Sequence, residues 1–322
     1  MGPVQAGIST EENGLLSTAV LFLVFNRPDV TSKCFAAIRA ARPPRLYVAA
    51  DGPRAGREKE IGLCQLTRSV ATNVDWPCEV KTLFRSENLG CRRAVSEAID
   101  WFFSAEPEGI VLEDDCLASP DWFRFAEEML NRYREDTRVM CISANHFHGK
   151  SHVPEYSYFF SRYNHCWGWA SWRRAWAMYD SEMTAWPALR DTRWLRTIGC
   201  GSRSFSAYWA AIFDRVRAER INSWAYRWTF SCWSQNGLTV LPGRNLVRNI
   251  GFGDEATHTG SGNRLEDLMI LESMDFPMRH PLHVLPDWEA DSWTDRNVYG
   301  IDRLLFFRLR VRQFVRSLFK GA

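Results

Sequence analysis

The sequence lacks any apolar run long enough to cross a membrane as a helix. Its longest run, residues 19–25, stops after seven residues at Asn26, whereas a spanning helix needs about 20. The N-terminal residues also lack the basic, apolar and small-residue regions of a secretory signal. We therefore expect a cytoplasmic protein, and its 322 residues are enough for a sizeable core.

Cysteine spacing, charge balance and glycine patterns exclude further classes. The nine cysteines include no C-x-x-C pair, which predicts reduced, buried thiols and no structural zinc. With 40 Lys and Arg against 38 Asp and Glu, the net charge of +2 is too balanced for nucleic-acid binding. Gly-x-x-x-x-Gly-Lys and Gly-x-Gly-x-x-Gly are absent, which argues against a P-loop enzyme and a dinucleotide-binding fold.

Strand and helix patterns alternate in the first half of the chain. Strand patterns occur at residues 19–25, 46–50, 79–84, 109–112 and 139–143. Helical patterns occur at residues 28–41, 90–104 and 120–134. This alternation predicts an α/β fold with a Rossmann-like, mostly parallel sheet and helices on both faces.

The second half loses this alternation. Helical patterns occur at residues 171–179 and 192–217, and residues 236–262 are rich in turn formers. We predict four segments, namely an N-terminal extension, a nucleotide-binding half, an acceptor and donor-sugar half, and a basic amphipathic C-terminal helix. Their boundaries are 1–17, 18–150, 151–300 and 301–322.

Polar residues follow every predicted strand of the first half. Because ligands of such sheets bind at the carboxyl ends of the strands, these residues are candidates for one site. Ordinary strand termination explains any single loop equally well, but five loops together favour a site. The candidates are Asn26, Arg27, Asp51, Arg54, Arg85, Asn88, Glu113, Asp114, Asp115 and Asn145, with Arg92 and Arg93 near the same edge. The arginine guanidinium groups suit a diphosphate.

Glu113, Asp114 and Asp115 form an acidic cluster at the end of a buried strand. Something must neutralise the mutual repulsion of three carboxylates. One interpretation is Mn²⁺ or Mg²⁺, which shares its coordination with substrate phosphates. The other is a capped loop with ion pairs to arginines. Asp51 could accept the N3 proton of a uracil, although an Asp-Gly turn alone is a weak signal.

Five strings resemble bacterial nucleotide-diphospho-sugar transferases of the GT-A fold. They are Phe-Asn-Arg-Pro at 25–28, Ala-Asp-Gly-Pro-Arg at 50–54, Asn-Leu-Gly-Cys-Arg-Arg at 88–93, Leu-Glu-Asp-Asp at 112–115 and Trp-Gly-Trp at 167–169. The resemblance covers about residues 18–262. It extends to the N-acetylglucosaminyltransferases that initiate complex N-glycans, which also carry a Glu-Asp-Asp metal motif.

The resemblance implies metal-dependent use of a UDP-sugar. By position, Asp115 ligates the metal, whereas Glu113 and Asp114 hold the ribose and the sugar. Uridine contacts are implied for Arg27 and Asp51.

A late histidine often reaches the metal or the diphosphate in GT-A enzymes. His258 is the candidate here, although a lone histidine is as often structural.

Trp169, Trp172 and Trp176 recur at helical spacing. A core-facing stripe is the preferred interpretation for Trp172 and Trp176. Trp169 is predicted to lie in a loop before that helix, beside Gly168. The resemblance places this loop next to the donor sugar.

Relatives usually carry Trp-Asp where this sequence has Trp224-Ala225. That Asp looks like the catalytic base of an inverting transfer, and alanine cannot accept a proton. Either the chain is a base-deleted variant, which we favour, or the base lies elsewhere. The other candidates are Asp214, Asp254 and Glu255.

Residues 301–320 combine six basic residues and one acid with apolar residues at helical spacing. Such a helix either lies on the inner face of an anionic membrane or docks on the domain, and the sequence favours neither. His146, His148 and His152 are unevenly spaced, which predicts surface or acceptor-side residues and no zinc site.

We therefore predict a glycosyltransferase that moves an N-acetylhexosamine or hexose from a UDP-sugar to an acceptor hydroxyl, with inversion. The acceptor is expected on a glycan, a lipid-linked molecule or a protein. One alternative is a sugar-nucleotide-binding or scaffold protein without turnover. The second is a nucleotidylyltransferase, which needs a Gly-rich loop where residues 26–28 read Asn-Arg-Pro.

Overall fold

The structure, a computed structural model, describes residues 16–251, 268–302 and 304–307. The strands are β1 Val20–Val24, β2 Arg45–Ala50, β3 Glu79–Phe84, β4 Glu108–Glu113, β5 Cys116–Ala118, β6 Val139–Ser143, β7 Tyr158–Ser161, β8 Trp169–Trp172, β9 Leu238–Pro242 and β10 Val247–Asn249. The helices are α1 Pro28–Ala41, α2 Glu58–Ala71, α3 Gly90–Ala105, α4 Pro120–Arg132, α5 Arg173–Trp176, α6 Trp186–Leu189, α7 Trp194–Ile198, α8 Arg203–Arg217, α9 Ala225–Ser234 and α10 Trp288–Asn297.

Eight of these strands form one mostly parallel sheet in the order β3-β2-β1-β4-β8-β6-β9-β7. Strands β1 to β4 are parallel to one another, and β6 is parallel to β9. Strand β8 runs antiparallel between β4 and β6, and β7 is antiparallel to β9. Strands β5 and β10 form a separate antiparallel pair. The predicted α/β fold is confirmed.

Both faces of the sheet are covered by helices. All five residues of β1 are buried, and successive side chains of a strand point to opposite faces. Helix α1 packs against α2 and α4, whereas α3 packs against α5. The continuous apolar run of β1 is therefore explained by burial on two sides.

Three of the four helices of the first half, namely α1, α3 and α4, begin where the sequence predicts, whereas α2 has no counterpart in the prediction. Pro28 and Pro120 occupy the first turns of α1 and α4, where a missing backbone N–H costs nothing. Helix α1 ends at a left-handed residue, Arg42, whose N–H donates to the carbonyl of Ile38.

The second half differs from the prediction in several places. The single helix predicted at residues 192–217 is two helices, α7 and α8, separated by residues 199–202. Residues 169–172 form strand β8 and only residues 173–176 are helical, so the helix predicted from residue 171 starts two residues late. The stretch predicted as turns contains β9 and β10. Because β8 is covered on both faces, its tryptophans are buried at any spacing. Trp172 and Trp176 are buried, as predicted.

The remaining expectations concern thiols and membranes. All nine cysteines are free, as predicted, although Cys200 is exposed. Within the described ranges, no helix combines the length and the apolar character that crossing a membrane requires. Most of the predicted C-terminal helix, and the N-terminal residues 1–15, lie outside those ranges.

Candidate functional site

The carboxyl ends of β1 to β4 open into a cleft of about 740 Å³. Parallel strands bring the residues that follow them to one edge, and the register pairs Leu23 of β1 with Glu113 of β4. Gly52 allows the loops after β2 and β3 to touch, because a Cβ there would lie 2.5 Å from the backbone of Glu87. The cleft gathers eight predicted site residues, namely Asn26, Arg27, Asp51, Arg54, Arg85, Asn88, Glu113 and Asp114.

Several of the side chains that line the cleft are apolar. Phe25, Leu63 and Leu83 line it together with backbone of β2. The Arg54 guanidinium lies 5.7 Å from the centre of the Phe25 ring and forms an ion pair with Glu60. A flat, partly apolar group such as a nucleobase can stack on such a surface.

Glu113 and Asp114 also line the cleft, whereas Asp115, the predicted metal ligand, is not among the lining residues. Arg27 forms ion pairs with Asp114 and, at 3.0 Å, with Asp115. Asp114 also accepts the backbone N–H of Phe25 at 3.3 Å. Within the described ranges, the Glu113 carboxylate has no hydrogen bond or ion pair. Two carboxylates thus share one guanidinium group, and the third has no partner among the described residues.

Burial and mutual repulsion raise the pKa values of two of these carboxyls. Burial, followed by the charges of Asp115 and Asp114, raises the pKa of Glu113 to about 8. Burial is also the main cause that raises the pKa of Asp114 to about 6, against the opposing effect of Arg27. The fully charged cluster is therefore unfavourable without a further cation.

This electrostatic arrangement predicts that stability falls as pH rises. A carboxyl whose pKa rises from 4.5 to about 8 on folding binds its proton more tightly in the folded state. Its contribution is fully present below pH 4.5 and is lost as pH rises through 8. Urea denaturation should give a lower free energy of unfolding at pH 8 than at pH 5.5. In Glu113→Gln this difference between the two pH values should be smaller by about 1 to 3 kcal/mol. Equal falls in both proteins would contradict this assignment.

The cluster fits a cation that keeps waters and phosphate oxygens among its ligands. The described residues contain no ready-made group of three metal-binding side chains. Mg²⁺, however, is usually held by one or two carboxylates plus substrate phosphates. Asp115 Oδ1 takes no part in the Arg27 ion pair, and Glu113 is unpaired among the described residues. These two carboxylates could hold such a cation.

The chain leaves β10 directly beside the acidic cluster. A Cβ on Gly251 would lie 2.3 Å from Asp115 Oδ2 and 2.7 Å from a guanidinium nitrogen of Arg27, so only glycine fits this path. The predicted candidates Asp254, Glu255 and His258 follow in the chain but lie outside the described residues.

Asp51 has a structural task that the sequence did not reveal. Its carboxylate accepts the backbone N–H groups of Leu89 and Gly90, each at 3.0 Å, where α3 begins, and that of Gly52 at 2.9 Å. These bonds satisfy donors that a helix start leaves open. Asp51 lines the cleft, but most of its acceptor capacity serves α3.

Asp51→Ala should therefore lower the free energy of unfolding by about 1 to 2 kcal/mol, the usual effect of losing a helix cap. Asp75, whose side chain is 64% exposed and pairs with Arg39, provides the control. Asp75→Ala should cost less than about 1 kcal/mol. Thermal or urea denaturation measures both, and equal effects would contradict the capping role.

The three predicted arginines after β3 and in α3 separate into two groups. Arg85 lines the cleft and pairs with Glu97 at 2.8 Å. Arg92 and Arg93 do not line it. Arg93 also pairs with Glu97, whereas Arg92 pairs with Glu219 at 2.9 Å. Because Arg92 and Arg93 are not among the residues that line the cleft, their positions do not support the prediction that they face a diphosphate.

Trp169 does not line the cleft. It lies in β8 and not in a loop, is only 1% exposed, and stacks on Trp224 with ring centres 5.6 Å apart. A sugar cannot reach this indole, so the structure corrects the prediction. The reason is that β8 is inserted between β4 and β6, in the middle of the sheet.

Ala225 is the first residue of α9, is partly buried and is not among the residues that line the cleft. Asn222, three residues earlier, lines the cleft. The alternative base Asp214 is not among the cleft residues. Its two carboxylate oxygens accept hydrogen bonds from Arg190 and Trp186.

His146 and His148 are buried and not at the surface, which corrects the prediction. They are 1% and 2% exposed and pack around Phe159. Burial lowers the pKa of His146 to about 3 and that of His148 to about 4, so both are neutral near pH 7. His152 instead pairs with Asp287 at 3.0 Å.

Three further cleft residues were missed by the sequence analysis. Arg57 and Glu60 come from the start of α2, and Asn222 comes from the turn before α9. Arg57 and Glu60 follow the Asp-Gly-Pro-Arg string closely, which was an available signal. No local pattern marks Asn222, because it reaches the cleft only through packing between distant segments.

No family model matches the chain, and no curated protein does. Solved structures do show similarity to parts of it. CMP:2-keto-3-deoxy-manno-octonic acid synthetase complexed with CTP is 17% identical over 56% of this chain and 86% of its own, with a TM-score of 0.31. UDP-glucose pyrophosphorylase complexed with UDP-glucose is 10% identical over 45% of this chain and 62% of its own, with a TM-score of 0.25.

Proposed function

We propose that the protein binds a UDP-sugar in this cleft and transfers the sugar to an acceptor hydroxyl, as a metal-dependent glycosyltransferase. The observation that supports the proposal most is the mixed lining of the cleft, which combines apolar side chains with the carboxylates of Glu113 and Asp114, next to which Asp115 shares the Arg27 ion pair. Its volume of about 740 Å³ lies in the range of small-molecule sites.

Two groups of lining residues suit two parts of the donor. The base would stack near Phe25 and Arg54. The diphosphate would then extend toward Glu113 and Asp114, and like charges there would repel it. A bound Mn²⁺ or Mg²⁺ supplies the positive charge that stabilises a departing diphosphate. Asp115 and Glu113 would hold that ion, while Arg27 keeps Asp114 and Asp115 in place.

Transfer with inversion also needs a group that accepts the proton of the attacking hydroxyl. Ala225 occupies the position implied for that group and has no titratable atom. We favour a base-deleted variant that binds its donor and transfers slowly. This variant explains the binding cleft and the missing carboxylate together.

A product assay tests the proposal. The protein is incubated with Mn²⁺ and, separately, with UDP-glucose, UDP-galactose or UDP-N-acetylglucosamine, and UDP release is measured with and without a saccharide acceptor. Slow UDP release from one donor is expected. Pyrophosphate release from UTP and a sugar 1-phosphate would instead identify a nucleotidylyltransferase. Donor binding without turnover, in the wild type and in Ala225→Asp alike, would identify a binding protein.

A further inference from the structure

The last turn that the structure describes presents two large apolar side chains to solvent. Leu304 is 64% exposed and Phe307 is 62% exposed. Leu305 instead packs against the core, and the backbone N–H of Phe306 donates to Ser204 Oγ at 3.2 Å. One side of the turn is therefore attached to the domain, while the other side leaves apolar surface uncovered.

The two exposed residues begin the apolar pattern of the C-terminal sequence. Apolar residues recur at positions 304, 307, 311, 314 and 318, a spacing that places them on one face of a helix. Residues 303–320 also carry six basic residues and no acid. If this face docked on the domain, its first two members should be buried, and they are not.

The domain surface beside this turn is basic. The Arg203 guanidinium lies 5.9 Å from the centre of the Phe306 ring. Arg193 precedes α7 and Arg196 lies in it, and α7 packs against α8, which begins at Arg203. Within the described ranges, none of these three arginines has an ion pair. A basic segment folded back on this surface would be repelled by it.

Two acidic residues flank this basic surface in the chain, and both are engaged. Asp191 pairs with its neighbour Arg190 at 2.8 Å. Asp302 accepts the backbone N–H of Leu304 at 2.9 Å, at the start of the last described turn. Neither carboxylate is therefore free to hold the basic C-terminal residues on the domain.

We propose that this end of the chain binds an anionic lipid surface. Leu304 and Phe307 would enter the boundary between headgroups and acyl chains, and the arginines would face the lipid phosphates. Each basic residue close to such a surface raises the affinity about fivefold. Exposed apolar residues among the arginines favour lipid over nucleic acid, whose phosphates need only the cations. The inference does not depend on the proposed function.

Vesicle flotation of the full chain tests the proposal. Vesicles of phosphatidylcholine, with and without phosphatidylglycerol, are mixed with the wild type and two double variants. Leu304→Ser with Phe307→Ser removes apolar surface and keeps the charge. Arg308→Gln with Arg312→Gln removes charge and keeps the apolar residues.

The matched control is Ile61→Ser with Leu66→Ser. These two residues of α2 are 48% and 54% exposed and lie outside the C-terminal part of the chain. The control should bind vesicles as the wild type does. Thermal denaturation should give the wild-type midpoint for Leu304→Ser with Phe307→Ser, because both side chains are already exposed. A lower midpoint would show that they dock on the domain and would overturn the proposal.

The wild type should bind vesicles that contain phosphatidylglycerol and not those of phosphatidylcholine alone. Each of the two C-terminal double variants should bind about tenfold more weakly, or less, since each loses two contributing side chains. No binding of the wild type, or unchanged binding of the apolar variant, would contradict the proposal. Binding that only the charge variant loses, and that single-stranded DNA abolishes, would identify a nucleic-acid surface instead.

Discussion

Ala225→Asp is expected to raise the rate of sugar transfer at least about 100-fold, the typical contribution of a general base. The position lies at the first residue of α9, and a negative side chain is favourable at a helix N-terminus. The residue is only partly buried, so a carboxylate can be accommodated there. Donor affinity should not change, because the substitution adds a proton acceptor and removes no donor contact.

The matched control is Ala225→Asn, which has nearly the same size and no titratable group. Initial rates of UDP release with saturating donor and a saccharide acceptor should rise for the aspartate variant and stay at the wild-type level for the asparagine variant. A rise smaller than about 100-fold, or an equal rise in both, would show that the base lies elsewhere.

Arg27→Ala should lower the free energy of unfolding by about 3 to 5 kcal/mol at pH 8, because it leaves two carboxylates without their counter-ion. The Asp114 side chain is 5% exposed and that of Asp115 is 14% exposed, so water cannot replace the guanidinium. The loss should be smaller at pH 5, where protonation of the raised carboxyls relieves the repulsion.

Arg93→Ala serves as the control for that experiment. The Arg93 side chain is 59% exposed and pairs with an exposed Glu97, so its removal should cost less than about 1 kcal/mol. Adding Asp114→Asn and Asp115→Asn to Arg27→Ala should restore most of the lost stability. Urea denaturation that shows equal losses for both arginines would contradict the account of the acidic cluster.

Most of the first half of the fold, and the polar loops that line the cleft, follow from local patterns. The apolar run of β1 and the proline before α1 are direct consequences of two-sided burial and of helix-start geometry. The polar residues after β1 to β4 converge because parallel strands end at one edge.

Helix α2 shows why the rest did not follow. The side chains it buries include Glu60 and Thr67, whereas its apolar residues Ile61 and Leu66 are exposed. Apolar periodicity therefore gives no signal for it. Local sequence patterns also give no signal for hydrogen bonds between residues far apart in the chain. Asp51 is the clearest case in the site, because its carboxylate accepts backbone N–H groups 38 and 39 residues away.

In the site, the role predicted for Trp169 was wrong and Asn222 was missed. A tryptophan beside a glycine suggests a sugar platform, but the insertion of β8 into the sheet buries it. Asn222 has no motif of its own, and its position depends on the ion pairs that Glu219 makes with two arginines. Tertiary packing decides both outcomes.

The central claim is that the acidic cluster of Glu113, Asp114 and Asp115 binds a cation together with a uridine diphosphate in the cleft. Calorimetric titration of UDP with Mn²⁺ and with EDTA, alongside CDP, ADP and GDP, tests it most directly. We predict that UDP binds at least about tenfold more tightly with Mn²⁺, a difference of about 1.4 kcal/mol, and more tightly than the other diphosphates. Equal affinity with and without the metal, or no preference for uridine, would contradict the claim.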